Sequence, residues 1–197
     1  MNDIINQIKI SKNPVVLLEG TRALPKEDIP NLVHFAEKLT TVSPGTLFRT
    51  GNASGTDEAF AQGVANVNVF QLEYVVPYAT MRKSKLHKGG RIVSLDEVPG
   101  NEQIRLKEET VNSYPSIDSL VDYYFKTGYK NRNTVKAMYL IRDTLKVIGS
   151  KGLNLLPAAF GIFYVNLQKP LSGGTGHTIR VCEQNGITVS TQNEWLD

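Results

Sequence analysis

Short apolar runs alternate with amphipathic stretches along most of this chain. The apolar runs are rich in β-branched and aromatic residues and end at glycine, proline or polar clusters, which is typical of buried strands. They predict strands over residues 14–19, 47–50, 70–76, 92–93, 158–167 and 187–189. The other stretches carry apolar residues at helical spacing or follow helix-start signals. They predict helices over 29–41, 56–65, 116–129, 134–149 and 178–185.

The order of these elements predicts an α/β fold. The first 80 residues run strand, helix, strand, helix, strand, which is typical of parallel strands joined by right-handed crossovers. We therefore expect a Rossmann-like, doubly wound parallel sheet with helices on both faces. Asp28 is the expected cap of the first of these helices. Residues 1–197 are expected to form one domain, in which the less regular segment of about 80–130 is an insertion or elaboration.

Composition limits the classes of protein to which this chain can belong. Hydrophobic residues make up 41% of the 197 residues and charged residues 21%, as in ordinary globular proteins. The net charge of +3 does not by itself indicate nucleic acid or a membrane surface as a partner. The single cysteine, Cys182, excludes an intrachain disulfide and favours a reducing compartment. With no apolar run of membrane or signal length and no CxxC or HExxH spacing, we expect a cytoplasmic protein without a metal site.

Three polar, glycine-containing turns follow predicted strands. Parallel strands end at one edge of a sheet, where ligands of open α/β sheets bind. Free backbone N–H groups and the dipole of a following helix favour a phosphate or carboxylate at such turns. We therefore predict that an anion is bound by Gly20, Thr21, Arg22, Gly51, Ser54, Gly55, Thr56, Gly173, Gly174, Thr175, Gly176 and Thr178.

Several polar residues near these turns are candidates for catalysis, and each also has a structural interpretation. Asp57 and Glu58 could serve as acids, but carboxylates in the first turn of a helix commonly stabilise its dipole. His177 could transfer protons, or it could merely contact ligand or solvent. The adjacent Arg142 and Asp143 are interpreted as a structural charge pair on a helix.

The segment 82–91 is basic. It could steer an anionic ligand or nucleic acid towards the protein. The aromatic residues that a single-strand binding surface uses for stacking are not interleaved with these charges, so a solvated loop is the other interpretation.

Three motifs, taken in order, resemble a known superfamily. The run from Phe48 to Phe60 is similar to its strand–SGxAxGxD–helix signature, and Arg132-Asn133 to an RN pair that opens a helix. The run from Gly173 to Thr178 is similar to its second glycine turn, GGxGT. This is the SLOG superfamily of Rossmann-like proteins, which includes YspA-like and YpsA-like proteins, the DNA-processing protein DprA and LOG-type phosphoribohydrolases. The resemblance covers roughly 14–77 and 130–190.

The resemblance implies a nucleotide-type ligand above the strand ends, held by the two glycine turns together with Arg132 and Asn133. One position departs from the LOG pattern, PGGxGTxxE, in which the glutamate is catalytic. Here Arg180 stands in place of that glutamate and His177 in place of the threonine. Arg180 could instead pair with a phosphate, and the loss of the acid favours binding over hydrolysis.

Three functions follow as expectations. The first is the binding of a nucleotide or NAD-derived phosphate ligand, for sensing, sequestration or processing, without a required cofactor. The second is N-glycosidic hydrolysis of a nucleoside monophosphate, with Asp57 or Glu58 as the acid and His177 as an accessory group. The third is DprA-like binding of single-stranded DNA. The resemblance also makes a homo-oligomer plausible.

Overall fold

The structure, a computed structural model, describes residues 2–128 and 131–196. Six parallel strands form a single sheet. In chain order they are β1 (Val15–Gly20), β2 (Leu47–Thr50), β3 (Leu72–Val76), β4 (Arg91–Ser94), β5 (Phe160–Tyr164) and β6 (Thr188–Thr191). The spatial order is β4-β3-β2-β1-β5-β6, and the expected parallel α/β fold is therefore confirmed.

Helices cover both faces of this sheet. In chain order they are α1 (Asn2–Ile10), α2 (Ile29–Val42), α3 (Thr56–Asn68), α4 (Gly100–Ser113), α5 (Asp118–Thr127), α6 (Arg132–Ile148), α7 (Gly173–Gln184) and α8 (Gln192–Trp195). Short 3₁₀ helices at Lys26–Asp28, Val69–Gln71, Lys83–Lys85, Leu95–Glu97 and Pro115–Ile117 connect some of them. Within the described ranges, none of the helices is both long enough and apolar enough to span a membrane.

The two faces of the sheet bury two separate cores, because successive strand residues point to opposite sides. On β1, Val16 and Leu18 belong to the core shared with α1, α2 and α3, whereas Leu17 belongs to the core shared with α4 to α7. On β5, Ile162 faces the first core and Phe163 the second. Burial on both sides explains why the central strands β1 and β5 are nearly continuous apolar runs, as expected for a sheet covered on both faces.

The direction of winding reverses at β1. The chain builds β2, β3 and β4 outward on one side of β1, and then crosses back to place β5 on the other side. The connection from β1 runs to β2 on one side, and the connection from β5 runs to β6 on the other side. A crevice opens beyond the carboxyl ends of two adjacent strands whose connections diverge in this way, and this is where ligands of open α/β sheets bind. Here that crevice lies at the ends of β1 and β5.

A buried arginine on β2 forms an ion pair within the sheet and also connects the sheet to α6, the helix that precedes β5. Arg49 on β2 donates from Nε to Glu73 on β3 at 2.7 Å, and both side chains are fully buried. The same guanidinium donates to the carbonyl groups of Lys146 at 2.5 Å and Leu156 at 2.7 Å. The C-terminal half of α6 is therefore held against the sheet by hydrogen bonds as well as by apolar packing.

The structure differs from the sequence-based element boundaries in two informative places. Helix α4 was not predicted, because only Leu106, Thr110 and Ser113 of its 14 residues are buried and no apolar stripe marks it. Helix α7 begins at Gly173, five residues before the start predicted from its apolar residues. The predicted end of one helix at Tyr129 lies outside the described residues.

Asp28 stands at the expected cap position of α2, but the capping interaction itself was wrongly predicted. Asp28 precedes the helix, but its side chain makes no capping hydrogen bond. Its carboxylate accepts a 2.5 Å hydrogen bond from the hydroxyl of Tyr164 at the end of β5. Asp28 therefore joins the start of α2 to the central part of the sheet.

Candidate functional site at the switch point of the sheet

A cavity of about 720 Å³ opens at the carboxyl ends of the central strands. Five segments contribute to its wall: the end of β1 with the turn after it, the turn after β2, the residue after α4, one side of α6, and the loop after β5 with α7. Their lining residues include Glu19, Gly20, Thr21, Arg22, Ala53, Asp57, Tyr114, Tyr139, Leu140, Arg142, Asp143, Lys146, Pro170, Leu171, Gly173, Gly174, Thr175 and Arg180. The cavity therefore lies where the strand order reverses.

Parts of all three predicted turns meet at this cavity. Gly20, Thr21 and Arg22 of the first turn contribute to its wall. The second turn contributes Asp57, and the third contributes Gly173, Gly174 and Thr175, while Arg180 lines the cavity from one turn further along α7. The remaining residues of the predicted site lie behind the wall or away from it.

In the turn after β2, an aspartate of the same turn accepts hydrogen bonds from the backbone N–H groups. Asp57 accepts hydrogen bonds from the backbone N–H groups of Gly51 at 3.1 Å and Ala53 at 3.2 Å. The N–H groups of this turn were expected to bind an anionic group of the ligand, but the Asp57 carboxylate already accepts their hydrogen bonds. Ser54 is exposed outside the cavity wall.

The turns after β1 and β2 are joined to each other. Thr56 is buried, and its hydroxyl donates to the carbonyl oxygen of Thr21 at 2.9 Å. Gly55, with φ +82°, lies so close to the Arg22 carbonyl oxygen that a Cβ there would stand 2.6 Å from it. Gly55 and Thr56 thus position Thr21 and Arg22 instead of lining the cavity themselves.

The first turn of α7 faces a carboxylate from α6. A Cβ on Gly174 would lie 2.8 Å from the Asp143 Oδ2. Gly176 packs even more closely on the backbone of Leu171, where a Cβ would lie 2.0 Å from the carbonyl carbon. Glycine is needed at both positions because the neighbouring groups leave no room for a side chain.

Four charged side chains form a buried cluster in the wall. The Lys146 Nζ lies 2.5 Å from the Glu19 Oε1 and 2.8 Å from the Asp143 Oδ1. The Arg142 Nη2 lies 3.4 Å from the same Asp143 oxygen. Each of these side chains is at most 5% exposed.

The two carboxyl groups of this cluster are shifted in opposite directions. Burial raises the pKa of Glu19 to about 7, although the neighbouring Lys146 opposes the shift. Burial also acts to raise the pKa of Asp143, but Arg142 and Lys146 outweigh it and hold that pKa below its usual range. Asp143 is therefore ionised at neutral pH, whereas Glu19 exchanges a proton near neutrality.

Arg142 has hydrogen-bond donors that no described residue accepts. Its Nε and Nη1 are buried without a hydrogen-bond partner among residues 2–128 and 131–196. The guanidinium carbon lies 5.6 Å from the centre of the Tyr139 ring, and Arg22 lies at the same distance from that ring. Buried cationic donors without acceptors cost free energy, so an oxygen-rich anion in the cavity would relieve this cost.

Comparison with known proteins assigns no family or function to this chain. Neither protein-family models nor curated proteins nor solved structures give a match to this chain. The resemblance to the SLOG superfamily stays an expectation.

Two of the three catalytic candidates lie outside the cavity wall. Glu58 forms ion pairs with Arg82 at 3.0 Å and Lys85 at 3.1 Å on the outer side of α3. His177 is fully buried between α4, α6 and α7, within hydrogen-bond distance of the Thr144 and Ser113 hydroxyl groups. Burial lowers the pKa of His177 to about 4. Asp57 alone among the three lines the cavity.

Several predicted ligand-binding residues also lie apart from the wall. Thr178 is buried, with its hydroxyl 3.1 Å from the Gly174 carbonyl oxygen and 3.3 Å from the Glu19 Oε2. Arg132 opens α6 ten residues before Arg142, about 15 Å along the helix. Asn133 lies in the first turn of α6, and its side chain is outside the described part of the chain.

The basic segment 82–91 is partly neutralised by the protein itself. Arg82 and Lys85 share Glu58, and Arg91 pairs with Glu73 at 2.6 Å. The His87 Nδ1 lies 2.7 Å from the Tyr74 hydroxyl. DNA binding through this segment stays a prediction, with fewer free cations to support it than the sequence suggested.

Sequence reasoning missed the charged cluster on α6. Arg142 and Asp143 were interpreted as a structural pair, and neither Lys146 nor Glu19 was considered. A signal was present: Lys146 follows Arg142 by four residues, so both lie on one face of a helix whose other residues are largely apolar. Among the described residues, no group of three or more His, Cys, Asp or Glu side chains is arranged to hold a metal ion.

Proposed function

We propose that this protein binds a phosphate-bearing small molecule of the nucleotide class, including NAD-derived nucleotides, in the cavity at the switch point. The binding would serve to sense, sequester or process the ligand. The observation that carries the proposal is the buried Arg142 guanidinium, whose Nε and Nη1 donors have no acceptor in the described protein. A phosphate oxygen is a suitable acceptor, since arginine binds phosphate with charge-assisted hydrogen bonds.

The charge and size of the cavity support this choice. Its wall carries six basic side chains against three carboxyl groups. Burial favours the protonated, neutral form of Glu19, which makes the balance more positive. The volume of about 720 Å³ lies within the range of roughly 300–1,000 Å³ that is typical of small-molecule sites.

Calorimetric titration tests the proposal. The ligands are AMP, ADP-ribose, ribose 5-phosphate, adenosine and inorganic phosphate. We expect the phosphorylated compounds to bind and adenosine to bind far more weakly. Arg142→Gln should weaken binding by roughly 10- to 100-fold, because a hydrogen bond to a charged group contributes about 1.5–3 kcal/mol.

The matched control is Arg105→Gln, which makes the same chemical change on the exposed side of α4. Thermal unfolding of each variant checks that the fold is kept, and Arg142→Lys replaces Arg142→Gln if the latter does not fold. The proposal fails if no phosphorylated compound binds, or if Arg142→Gln binds them as the wild type does.

A second candidate function is N-glycosidic hydrolysis of a nucleoside monophosphate. The observation that favours it is the Glu19 carboxyl group, which lines the cavity and has a pKa raised to about 7 by burial. A carboxyl group that holds its proton near neutral pH can act as a general acid towards a leaving base. Asp57 also lines the cavity and is a candidate to stabilise positive charge that develops on the sugar.

Release of free base from nucleoside monophosphates, followed by chromatography, tests this candidate. Glu19→Gln should abolish release while leaving phosphate binding in place. Base release that persists in both Glu19→Gln and Asp57→Asn excludes these two roles, and no release by the wild type excludes the activity on these substrates.

A further inference from the structure

An aromatic ring lines the exposed end of the cavity. Tyr114 directly follows α4, and 36% of its surface remains accessible, whereas the Arg142 side chain in the same wall is 4% exposed. The cavity thus has a buried, charged end and an exposed end that contains a tyrosine ring. The segment that supplies this ring is the one for which the sequence resemblance offers no counterpart.

Arg180 holds this ring in place. Its guanidinium carbon lies 4.9 Å from the centre of the Tyr114 ring, a distance typical of a cation–π contact. The Nε of Arg180 donates to the Ser113 carbonyl oxygen at 3.1 Å, and Nη1 donates to the Leu171 carbonyl oxygen at 3.0 Å. These donors are directed at the protein, so Arg180 acts here as a positioning residue for the ring and for the loop after β5.

Apolar side chains continue the surface around the ring. Leu140 of α6, together with Pro170 and Leu171 of the loop after β5, lines the same cavity. Leu171 is 51% exposed, so it leaves apolar surface accessible in the cavity wall. Aromatic rings with apolar neighbours favour flat, apolar ligands over sugars and inorganic anions, because both faces of a nucleobase can stack.

We infer that the exposed end of the cavity is a subsite for a planar nucleobase, with Tyr114 as the stacking residue. This inference rests on the proposed function, since it assigns the buried end to the phosphate and the exposed end to the base of the same molecule. The ligand class is then a nucleoside phosphate, as opposed to a sugar phosphate without a base. Arg180 positions the stacking ring.

Titrations with AMP and ribose 5-phosphate test the inference, because the two compounds differ by the base. Four proteins are compared: wild type, Tyr114→Ala, Tyr114→Phe and the control Tyr123→Ala. Tyr123 is a 47% exposed tyrosine on α5 that does not line the cavity, so its replacement makes the same change elsewhere.

Tyr114→Ala should weaken AMP binding roughly 5- to 100-fold, the range that base stacking contributes in other nucleotide sites, and leave ribose 5-phosphate binding unchanged. Tyr114→Phe keeps the ring and should bind AMP as the wild type does. Tyr123→Ala should have no effect on either ligand.

The alternative outcomes separate the two proposals. Equal wild-type affinity for AMP and ribose 5-phosphate, or a Tyr114→Ala variant that binds AMP normally, overturns the base subsite and leaves phosphate binding intact. Equal weakening of both ligands by Tyr114→Ala also overturns it, because the effect is then not specific to the base. Absence of binding by both ligands to the wild type overturns the subsite together with the proposed function.

Discussion

The guanidinium of Arg142 lies directly against the backbone of Gly51. A Cβ at position 51 would stand 1.7 Å from the Arg142 Nη1, which is far inside van der Waals contact. Gly51 is the first residue of the turn after β2, and Arg142 projects from α6. The absence of a side chain at residue 51 therefore makes room for the Arg142 guanidinium beside the cavity.

Replacing Gly51 with alanine should move Arg142 out of this position. We expect a loss of about 1–3 kcal/mol in the free energy of unfolding, since the added methyl group overpacks a buried site. Affinity for phosphorylated ligands should fall as it does in Arg142→Gln. Urea denaturation and calorimetric titration measure the two effects. Gly100→Ala is the control, because a Cβ there meets nothing within 4 Å, and a Gly51→Ala variant indistinguishable from it would contradict the prediction.

Glu19 should make the folded state more stable as the pH falls from 7 to 5. Burial raises its pKa from 4.5 to about 7, so in this range the folded protein takes up a proton that the unfolded chain does not. The gain is about 2 kcal/mol by proton linkage. Glu19→Gln should lose this contribution, whereas Glu108→Gln, at an exposed site on α4, should behave as the wild type. Urea denaturation at pH 7 and pH 5 measures the free energy of unfolding of each variant. The prediction is refuted if this free energy changes equally between the two pH values in wild type and Glu19→Gln.

His177 should have the opposite effect over the same pH range. Burial lowers its pKa from 6.5 to about 4, so the unfolded chain binds a proton that the folded protein does not. Stability from this residue is present above pH 6.5 and falls by about 2 kcal/mol on going to pH 5. His177→Gln should therefore gain stability relative to the wild type as the pH falls. Titration of the imidazole by NMR provides a direct check, and a measured pKa near 6.5 would rule out the buried, neutral state.

Trp195 should tolerate phenylalanine far better than alanine. The indole is buried, with its ring centre 4.5 Å from that of Phe35 and 5.7 Å from that of Phe60. Trp195→Ala should cost roughly 3–5 kcal/mol, as expected for the loss of a large buried aromatic residue. The indole N–H has no hydrogen-bond partner among the described residues, so Trp195→Phe removes an unsatisfied donor while keeping most of the packing.

Thermal and urea unfolding of both Trp195 variants measure the difference. Phe70→Ala is the control, because that side chain is 78% exposed and contributes little packing. Equal destabilisation by phenylalanine and alanine would show that the indole nitrogen matters more than the aromatic packing.

Sequence reasoning succeeded where one strong local signal decides the structure. The strands β1 and β5 are largely apolar runs because both of their faces are buried, and the order of strands and helices then restricts the topology to a parallel sheet. The same reasoning placed Gly20, Thr21 and Arg22 at the strand ends, and the structure brings them to the cavity. Sequence reasoning failed to predict α4. Most residues of this helix are polar, and only a few of them are buried against the rest of the protein.

The sequence by itself determined the parallel α/β fold and the three turns that approach one edge of the sheet, since both depend on periodicity and on glycine and proline positions. Only the tertiary structure decided which groups line the cavity. Asp57 closes its own turn, Glu58 and His177 point elsewhere, and α6 supplies Arg142, Asp143 and Lys146. The physical reason is that the burial and pairing of a charge depend on elements that are distant in the chain: Lys146 and Glu19 are 127 residues apart, yet their charged atoms lie 2.5 Å from each other.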